Sequence, residues 1–152
     1  MAHLGQLDWL GVLFGQVIIP PAVDAELCNP PAGLLAVDTH ALPFLRVLVP
    51  GNKPRVQELL ADLDPGEAEA LALAEEVHAD LFLIDEQAGR ALAGRCGFTV
   101  LGTLGILLRA KARGLCREVR PLLDRLQREI HFFVSRNLRA LILQQAGETE
   151  SP

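Results

Sequence analysis

The chain has 152 residues, of which 50% are hydrophobic, and a formal net charge of −5. This length suits one domain with its own core, residues 1–152, and is too short for two. Its apolar runs are far shorter than the roughly 20 residues that cross a bilayer, and we find no signal peptide, so we expect a cytoplasmic protein without membrane contact. The three cysteines lie far apart with no histidine nearby, which argues against a disulfide scaffold or a zinc site.

Helical and strand patterns alternate along the chain, which predicts the α/β fold class. The elements expected in the first half are a helix at 4–14, a strand at 17–19, a helix at 22–27, an edge strand at 44–49 and a helix at 54–63. Those expected in the second half are an acidic helix from 64, a strand at 81–84, a helix at 86–95, a strand at 98–101, a helix capped by Thr103, and two helices between 119 and 145. We therefore divide the domain into an α/β core (1–115) and a helical extension (116–152).

The acidic helix has a clear local start signal. Asp64 is the expected N-cap, Pro65 takes the first helical position, and Glu67 follows three residues after the cap. Glu67 also heads the apolar stripe of Ala70 and Leu71, which we expect to face the sheet. Two interpretations of Glu67 stay open at this point: a capping box that returns to the N–H of Asp64, or a side chain that faces a functional site.

Asp85 directly follows the apolar residues 81–84. It therefore lies at the carboxyl end of a predicted strand, which is the edge where open α/β sheets bind ligands. The alternative is that Asp85 caps the next helix, and we favour the functional interpretation. Three neighbouring acids, Asp24, Glu69 and Glu86, are interpreted as solvated, each able to hold a metal-bound water.

Positive charge is concentrated in the C-terminal third. The bases there are Arg109, Lys111, Arg113, Arg117, Arg120, Arg125, Arg128, Arg136 and Arg139, and the acids between them are Glu118, Asp124 and Glu129. An acidic cleft bordered by basic helices would suit a divalent cation beside a polyanion. The alternative is that these arginines form ordinary ion pairs on solvated helix faces.

Three stretches carry a resemblance to a known family: VIIPPAVDAEL at 17–27, LDPGEAEALALA at 63–74, and LFLIDEQAGRALAGRCGFTVLGTLGILLRAKARGL at 81–115. Together with the closing LQQAGE at 143–148, they resemble the PIN-domain-like ribonucleases, in the bacterial toxin-type branch of predicted nucleic-acid-binding proteins. The resemblance covers almost the whole chain. It implies a PIN-like three-layer fold, with a short parallel sheet flanked by helices and a helical C-terminal tail.

The resemblance also implies a function. Such domains are similar to the toxin halves of toxin-antitoxin pairs, and they hydrolyse phosphodiester bonds of single-stranded RNA with Mg²⁺ or Mn²⁺ held by acidic side chains. Glu26 matches the family's glutamate after the second strand. Glu26, Glu67 and Asp85 are therefore the implied catalytic and metal-binding residues, and the implied partners are single-stranded RNA, a cognate antitoxin and a second copy of the chain.

One departure from the family pattern affects the expected activity. Family members usually begin with a strand whose Asp is the first metal ligand, whereas here Met1 leads directly into the helix that should follow it. Three explanations stay open: an earlier true start, a strand supplied from elsewhere, or loss of activity. We expect little nuclease activity without that acid, because metal binding would weaken. Asp38, in a similar Val-Asp-Thr sequence, is interpreted as a turn residue. The alternative function is a catalytically inactive PIN-like module that pairs with an antitoxin or self-associates.

Overall fold

The computed structural model describes residues 1–148, in which helices alternate with short strands. The strands are β1 (Val17–Ile19), β2 (Leu45–Val47), β3 (Phe82–Leu83) and β4 (Val100–Leu101). The helices are α1 (Asp8–Phe14), α2 (Pro21–Cys28), α3 (Lys53–Leu59), α4 (Pro65–Glu76), α5 (Gln87–Arg95), α6 (Thr103–Ala112), α7 (Arg120–Glu129) and α8 (Arg136–Gln145). The predicted α/β class is confirmed, and none of these helices is both long and apolar enough to span a membrane.

Three predicted boundaries are wrong. The first helix is interrupted because Gly5 adopts a left-handed conformation (φ 66°) that closes a short 3-10 turn at Ala2–Leu4, so α1 begins only at Asp8. Helix α3 ends at Leu59 rather than at residue 63. The edge strand predicted for 44–49 forms a ladder over only three residues, because β2 pairs with the equally short β1.

The parallel sheet is present as two separate strand pairs. Strands β1 and β2 pair in parallel with Val17 opposite Leu45, and β3 and β4 pair in parallel with Phe82 opposite Val100. No ladder joins the two pairs within residues 1–148. Helix α2 packs against α4 and α1 packs against α6, so helices rather than strand pairing connect the two halves.

Each strand pair has one edge without a main-chain partner. The N–H of Val17 and the C=O of Ile19 form hydrogen bonds on the β2 side, so Ile18 between them directs its own N–H and C=O the other way. The same alternation leaves Leu83 of β3 facing away from β4. Neither residue has a backbone hydrogen bond on that side in the described chain, so both edges carry main-chain groups without a backbone partner.

The buried apolar side chains form two clusters. One surrounds Leu71 of α4 and includes Phe82 of β3. The other surrounds Leu107 of α6 and includes Leu4, Leu123 of α7 and Leu143 of α8. The helices after residue 116 therefore share a core with α6 and with the start of the chain, and the single domain over 1–152 stays a prediction.

Candidate metal centre

An acidic cavity of about 250 Å³ lies where the carboxyl end of β3 meets the first turn of α4 and one face of α2. Five carboxylates line it: Glu26, Asp64, Glu67, Asp85 and Glu86. They come from three separate parts of the sequence. The fold brings them together because a parallel strand ends at the same edge at which the neighbouring helix begins.

The start of α4 places two of these acids. Asp64 is the N-cap, and its Oδ1 accepts a hydrogen bond of 2.8 Å from the N–H of Glu67. Gly66 lies against α2, where an added Cβ would approach Glu26 Oε1 to 2.9 Å and Val23 Cγ2 to 3.3 Å. A glycine at this position therefore allows α2 and Glu26 to come close to the cap.

Glu67 has the most perturbed carboxyl group of the cavity. Burial raises the pKa of Glu67 to about 7, and the charges of Asp64 and Glu86 and a hydrogen bond with Glu86 add to the effect. The N–H of Asp64 opposes this shift, as the returning half of a capping box would. The two interpretations of Glu67 are thus compatible, since one residue supports the helix start and also faces the cavity.

Asp64, Glu67 and Glu86 form the tightest group. One carboxylate oxygen from each lies within 4.8 Å of the others. Such crowding of like charges favours either a shared proton or a bound cation. Oxygen ligands of this kind suit Mg²⁺ or Mn²⁺, so the donor set fits the metal that the sequence predicts.

Asp85 is held in a different way. Its Oδ1 accepts a 2.8 Å hydrogen bond from the N–H of Thr103, and its Oδ2 accepts a 2.5 Å hydrogen bond from the Thr103 hydroxyl. Asp85 therefore fixes the start of α6. It does not cap α5, whose N-cap is Glu86. Asp85 also lies close enough to the amino group of Met1 that its charge opposes the lowering of that group's pKa by burial.

The prediction that Thr103 caps its helix is wrong. Gly102 is the N-cap of α6, and Thr103 is the first helical residue. The first turn obtains its side-chain acceptor from Asp85, which is distant in sequence. Local sequence signals could not have shown this contact.

Glu26 reaches the cavity from α2, with its carboxylate largely in solvent. Burial raises the pKa of Glu26, and the nearby charge of Asp64 raises it further. All three predicted site residues, Glu26, Glu67 and Asp85, thus line one cavity. Only Glu67 belongs to the tight group, and the assignment of all three as ligands stays a prediction.

Sequence reasoning did not select Asp64 and Glu86 as ligands. Both stand next to helix starts, where a capping role explains an acid. Their one distinguishing signal is position, since Asp64 precedes Glu67 by one helical turn and Glu86 directly follows Asp85. Conversely, two acids interpreted as solvated support the fold: Asp24 accepts a hydrogen bond from the buried Thr39, and Glu69 accepts one from the N–H of Ala22.

Six of the nine basic side chains in the C-terminal third fall into two groups. The first forms ion pairs with acids and comprises Lys111, Arg125, Arg128 and Arg139. In the second group, the exposed Arg109 lies over the ring of Phe14, with its guanidinium carbon 5.8 Å from the ring centroid. Arg113 and Arg109 line a second cavity, and neither forms an ion pair within the described residues. The ion-pair interpretation is therefore confirmed for the first group, and the interpretation that basic helices border the acidic cavity stays a prediction.

A family model described as a PIN domain matches residues 1–148. That range spans both strand pairs, the acidic cavity and all eight helices of the described chain. No curated protein and no solved structure matches the chain.

Proposed function

Because the chain belongs to the PIN-domain family, which indicates a nuclease-type function, we propose that it is a divalent-metal-dependent ribonuclease of the toxin-antitoxin type. Its reaction would be the hydrolysis of phosphodiester bonds in single-stranded RNA. The observation that carries this proposal is the group of Asp64, Glu67 and Glu86, with oxygens within 4.8 Å of one another in the acidic cavity.

Asp64, Glu67 and Glu86 would hold Mg²⁺ or Mn²⁺, with Glu26 and Asp85 on the same cavity wall. When bound, the cation lowers the pKa of a water molecule and stabilises the charge on the attacked phosphate. Glu67 must lose its proton to act as a ligand, and near neutral pH it does so readily because its pKa is about 7. The Asp64 side chain holds the first turn of α4 in place through the Glu67 N–H.

The proposed partners follow from charge and from unpaired backbone. Arg109 and Arg113 supply positive charge that no acid in the described chain neutralises within ion-pair distance, which suits the phosphates of RNA. The open edges at Ile18 and Leu83 suit a cognate antitoxin or a second copy of the chain in a homodimer. We place the protein in the cytoplasm, where the RNA substrate is found.

Calorimetric titration of the full chain with Mn²⁺ tests the metal site. We expect one saturable site, and we expect Glu67→Gln to weaken it at least about tenfold, because an amide removes the charge but keeps the shape. Glu118→Gln is the matched control, since Glu118 is exposed and lies outside the cavity. Equal Mn²⁺ affinities for the wild type and Glu67→Gln would contradict the assignment of this cavity as the metal site.

Cleavage assays with end-labelled RNA test the reaction. Because the family's first acid is missing, we expect only weak cleavage of single-stranded RNA in Mn²⁺, none in EDTA, and loss of that cleavage in both Glu67→Gln and Asp85→Ala. The control Glu118→Gln should cleave at the wild-type rate. Mn²⁺ binding without any cleavage of RNA would agree with the proposed metal site and would reject the proposed ribonuclease activity.

A second candidate function is a catalytically inactive module that pairs with an antitoxin or self-associates. The specific observation in its favour is the pair of open strand edges at Ile18 and Leu83. Light scattering after gel filtration separates the candidates when combined with the Mn²⁺ titration. A stable dimer without saturable Mn²⁺ binding would support the binding module, whereas saturable Mn²⁺ binding, by a monomer or a dimer, would support the nuclease.

A further inference from the structure

The hydrogen-bond ladder between β3 and β4 changes its pattern at its last step. The N–H of Phe82 donates to Thr99 and the N–H of Ile84 donates to Leu101, at 2.9 and 3.0 Å. Continuation of a parallel ladder would send the N–H of Thr103 to the carbonyl of Ile84. Instead, the Thr103 N–H donates to Asp85 Oδ1.

Arg90 supplies the bond that the ladder omits. Its Nη1 donates to the carbonyl oxygen of Ile84 at 2.9 Å, so this half-buried acceptor is satisfied. Arg90 lies on α5, one helical turn after the N-cap Glu86, and its side chain returns towards the end of β3. Within the described residues it has no ion pair with an acid, so the bond to Ile84 is its specific polar contact.

Gly102 provides the space for the hydrogen bonds of Arg90 to Ile84 and of Thr103 to Asp85. A Cβ at this position would lie 2.6 Å from Asp85 Oδ1, 2.9 Å from Arg90 Nη1 and 3.4 Å from the Ile84 oxygen. The backbone of Gly102 is extended (φ −105°, ψ 178°) and available to any residue. Close approach, rather than backbone conformation, therefore accounts for the glycine.

We propose that Arg90 is a positioning residue for Asp85. By satisfying the Ile84 carbonyl, it leaves the N–H and hydroxyl of Thr103 available to hold both carboxylate oxygens of Asp85 at the wall of the acidic cavity. The inference rests on the proposed function, since it takes Asp85 as part of the metal-binding wall. Without Arg90, the Thr103 N–H would turn to the Ile84 carbonyl and release Asp85.

Three variants of the full chain test this role. We expect Arg90→Ala to weaken Mn²⁺ binding about tenfold, as the loss of an outer-shell partner does. Arg90→Lys should recover part of that loss, because its ammonium can still donate one hydrogen bond to Ile84. Arg95→Ala is the matched control, since Arg95 is an exposed arginine on the same helix, and it should bind Mn²⁺ like the wild type.

A double-mutant cycle shows whether Arg90 acts through Asp85. In the Asp85→Ala background, the further change Arg90→Ala should have no additional effect on Mn²⁺ affinity. Equal and additive losses in the two backgrounds would overturn the inference. A lower melting temperature of Arg90→Ala with unchanged Mn²⁺ affinity would also overturn it, because Arg90 would then serve the fold alone.

Proton NMR provides a readout that does not depend on metal binding. We expect the chemical shift of the Thr103 amide proton to change in Arg90→Ala, because its acceptor changes from the Asp85 carboxylate to the Ile84 carbonyl. If the wild type bound no Mn²⁺, the proposed function would fail, and this chemical shift alone would decide the positioning role. An unchanged Thr103 amide shift in Arg90→Ala would reject it.

Discussion

Glu67 and Glu148 show how two partly buried glutamates beside helix starts come to differ. Burial favours the protonated form of both. For Glu67 the neighbouring charges are Asp64 and Glu86, and the pKa rises to about 7. For Glu148, Lys111 and the N–H groups of Val119 and Arg120 outweigh burial, and the pKa falls below its ordinary range. The kind of neighbouring group, rather than the depth of burial, thus separates an acid that stabilises the fold from one that is surrounded by like charges.

The largest loss of unfolding free energy should come from the removal of Glu148, the acid with three hydrogen-bond donors around it. Glu148 accepts hydrogen bonds from Lys111 at 2.7 Å, from Val119 at 2.6 Å and from Arg120 at 2.9 Å. Glu148→Ala leaves a half-buried ammonium and the start of α7 without an acceptor, so we expect about 3 kcal/mol less unfolding free energy. Urea denaturation measures this, with Glu118→Ala as a control that should lose less than about 0.5 kcal/mol. A loss in Glu148→Ala no larger than that in Glu118→Ala would contradict the contrast between Glu148 and Glu67.

The unsatisfied acid should make metal binding depend on pH. Because Glu67 must be deprotonated to act as a ligand, we expect Mn²⁺ affinity to fall about tenfold for each pH unit below 7, equivalent to about 1.4 kcal/mol. Above pH 7 the affinity should level off. Calorimetry at several pH values measures the profile, which Glu148→Ala should not shift. A flat profile between pH 5 and 7 would show that Glu67 is not a ligand.

The same acid should affect stability in the absence of metal. The pKa of Glu67 is about 7 in the folded chain, against an ordinary value of 4.5, so the folded state binds more protons between these values. The contribution of Glu67 to stability is therefore fully present below pH 4.5 and is lost as the pH rises through 7. After allowance for solvent screening, the loss is of order 1 kcal/mol.

Urea denaturation in EDTA at pH 5 and pH 7.5 checks this prediction. Glu67→Gln should remove the part of the pH dependence that the wild type owes to Glu67, and it should be more stable than the wild type at pH 7.5. Glu118→Gln should keep the wild-type dependence. A Glu67→Gln protein that is less stable than the wild type at pH 7.5 would contradict the claim that repulsion from Asp64 and Glu86 destabilises the charged form of Glu67.

The smallest effect should come from an exposed ion pair. Arg125 and Glu129 are one turn apart on α7, with a 3.1 Å separation, and both side chains are more than a third exposed. Glu129→Gln should lower the unfolding free energy much less than Glu148→Ala does, because water and salt screen such exposed pairs. Urea denaturation of Glu129→Gln and Glu148→Ala side by side sharpens the comparison. Both acids form an ion pair with a basic side chain, and only the carboxylate of Glu148 is largely buried.

Local signals in the sequence predicted the start of α4 and the order of the elements. The Asp64-Pro65 cap needs only neighbouring residues, and the structure forms it as expected. The predicted N-cap of α6 was wrong because the side chain that accepts from its first turn, Asp85, is 18 residues away from Thr103. Contacts of that range depend on how the strands pair, which local periodicity does not encode.

Part of the site was also predictable from the local position of its residues in the sequence. Position at a strand end and at a helix start placed Glu67 and Asp85 at the cavity, while Glu26 came from the family resemblance. The sequence explains Asp64 as a cap and Glu86 as a solvated acid, because their proximity to Glu67 arises only when α4 and β3 pack together. Asp24 and Glu69 were taken as solvated, since their partners on other elements have no sequence signature.

The separation of the two strand pairs has a mechanical consequence. No backbone–backbone hydrogen bond within residues 1–148 joins the segment 1–50 to the segment 60–102, so sliding of α2 over α4 breaks no ladder. Asp64, Glu67 and Glu86 all belong to the second segment, whereas Glu26 belongs to the first. A shift of α2 relative to α4 would therefore move Glu26 and keep the spacing of Asp64, Glu67 and Glu86, and the hydrogen bond from the Ala22 N–H to Glu69 opposes such a shift.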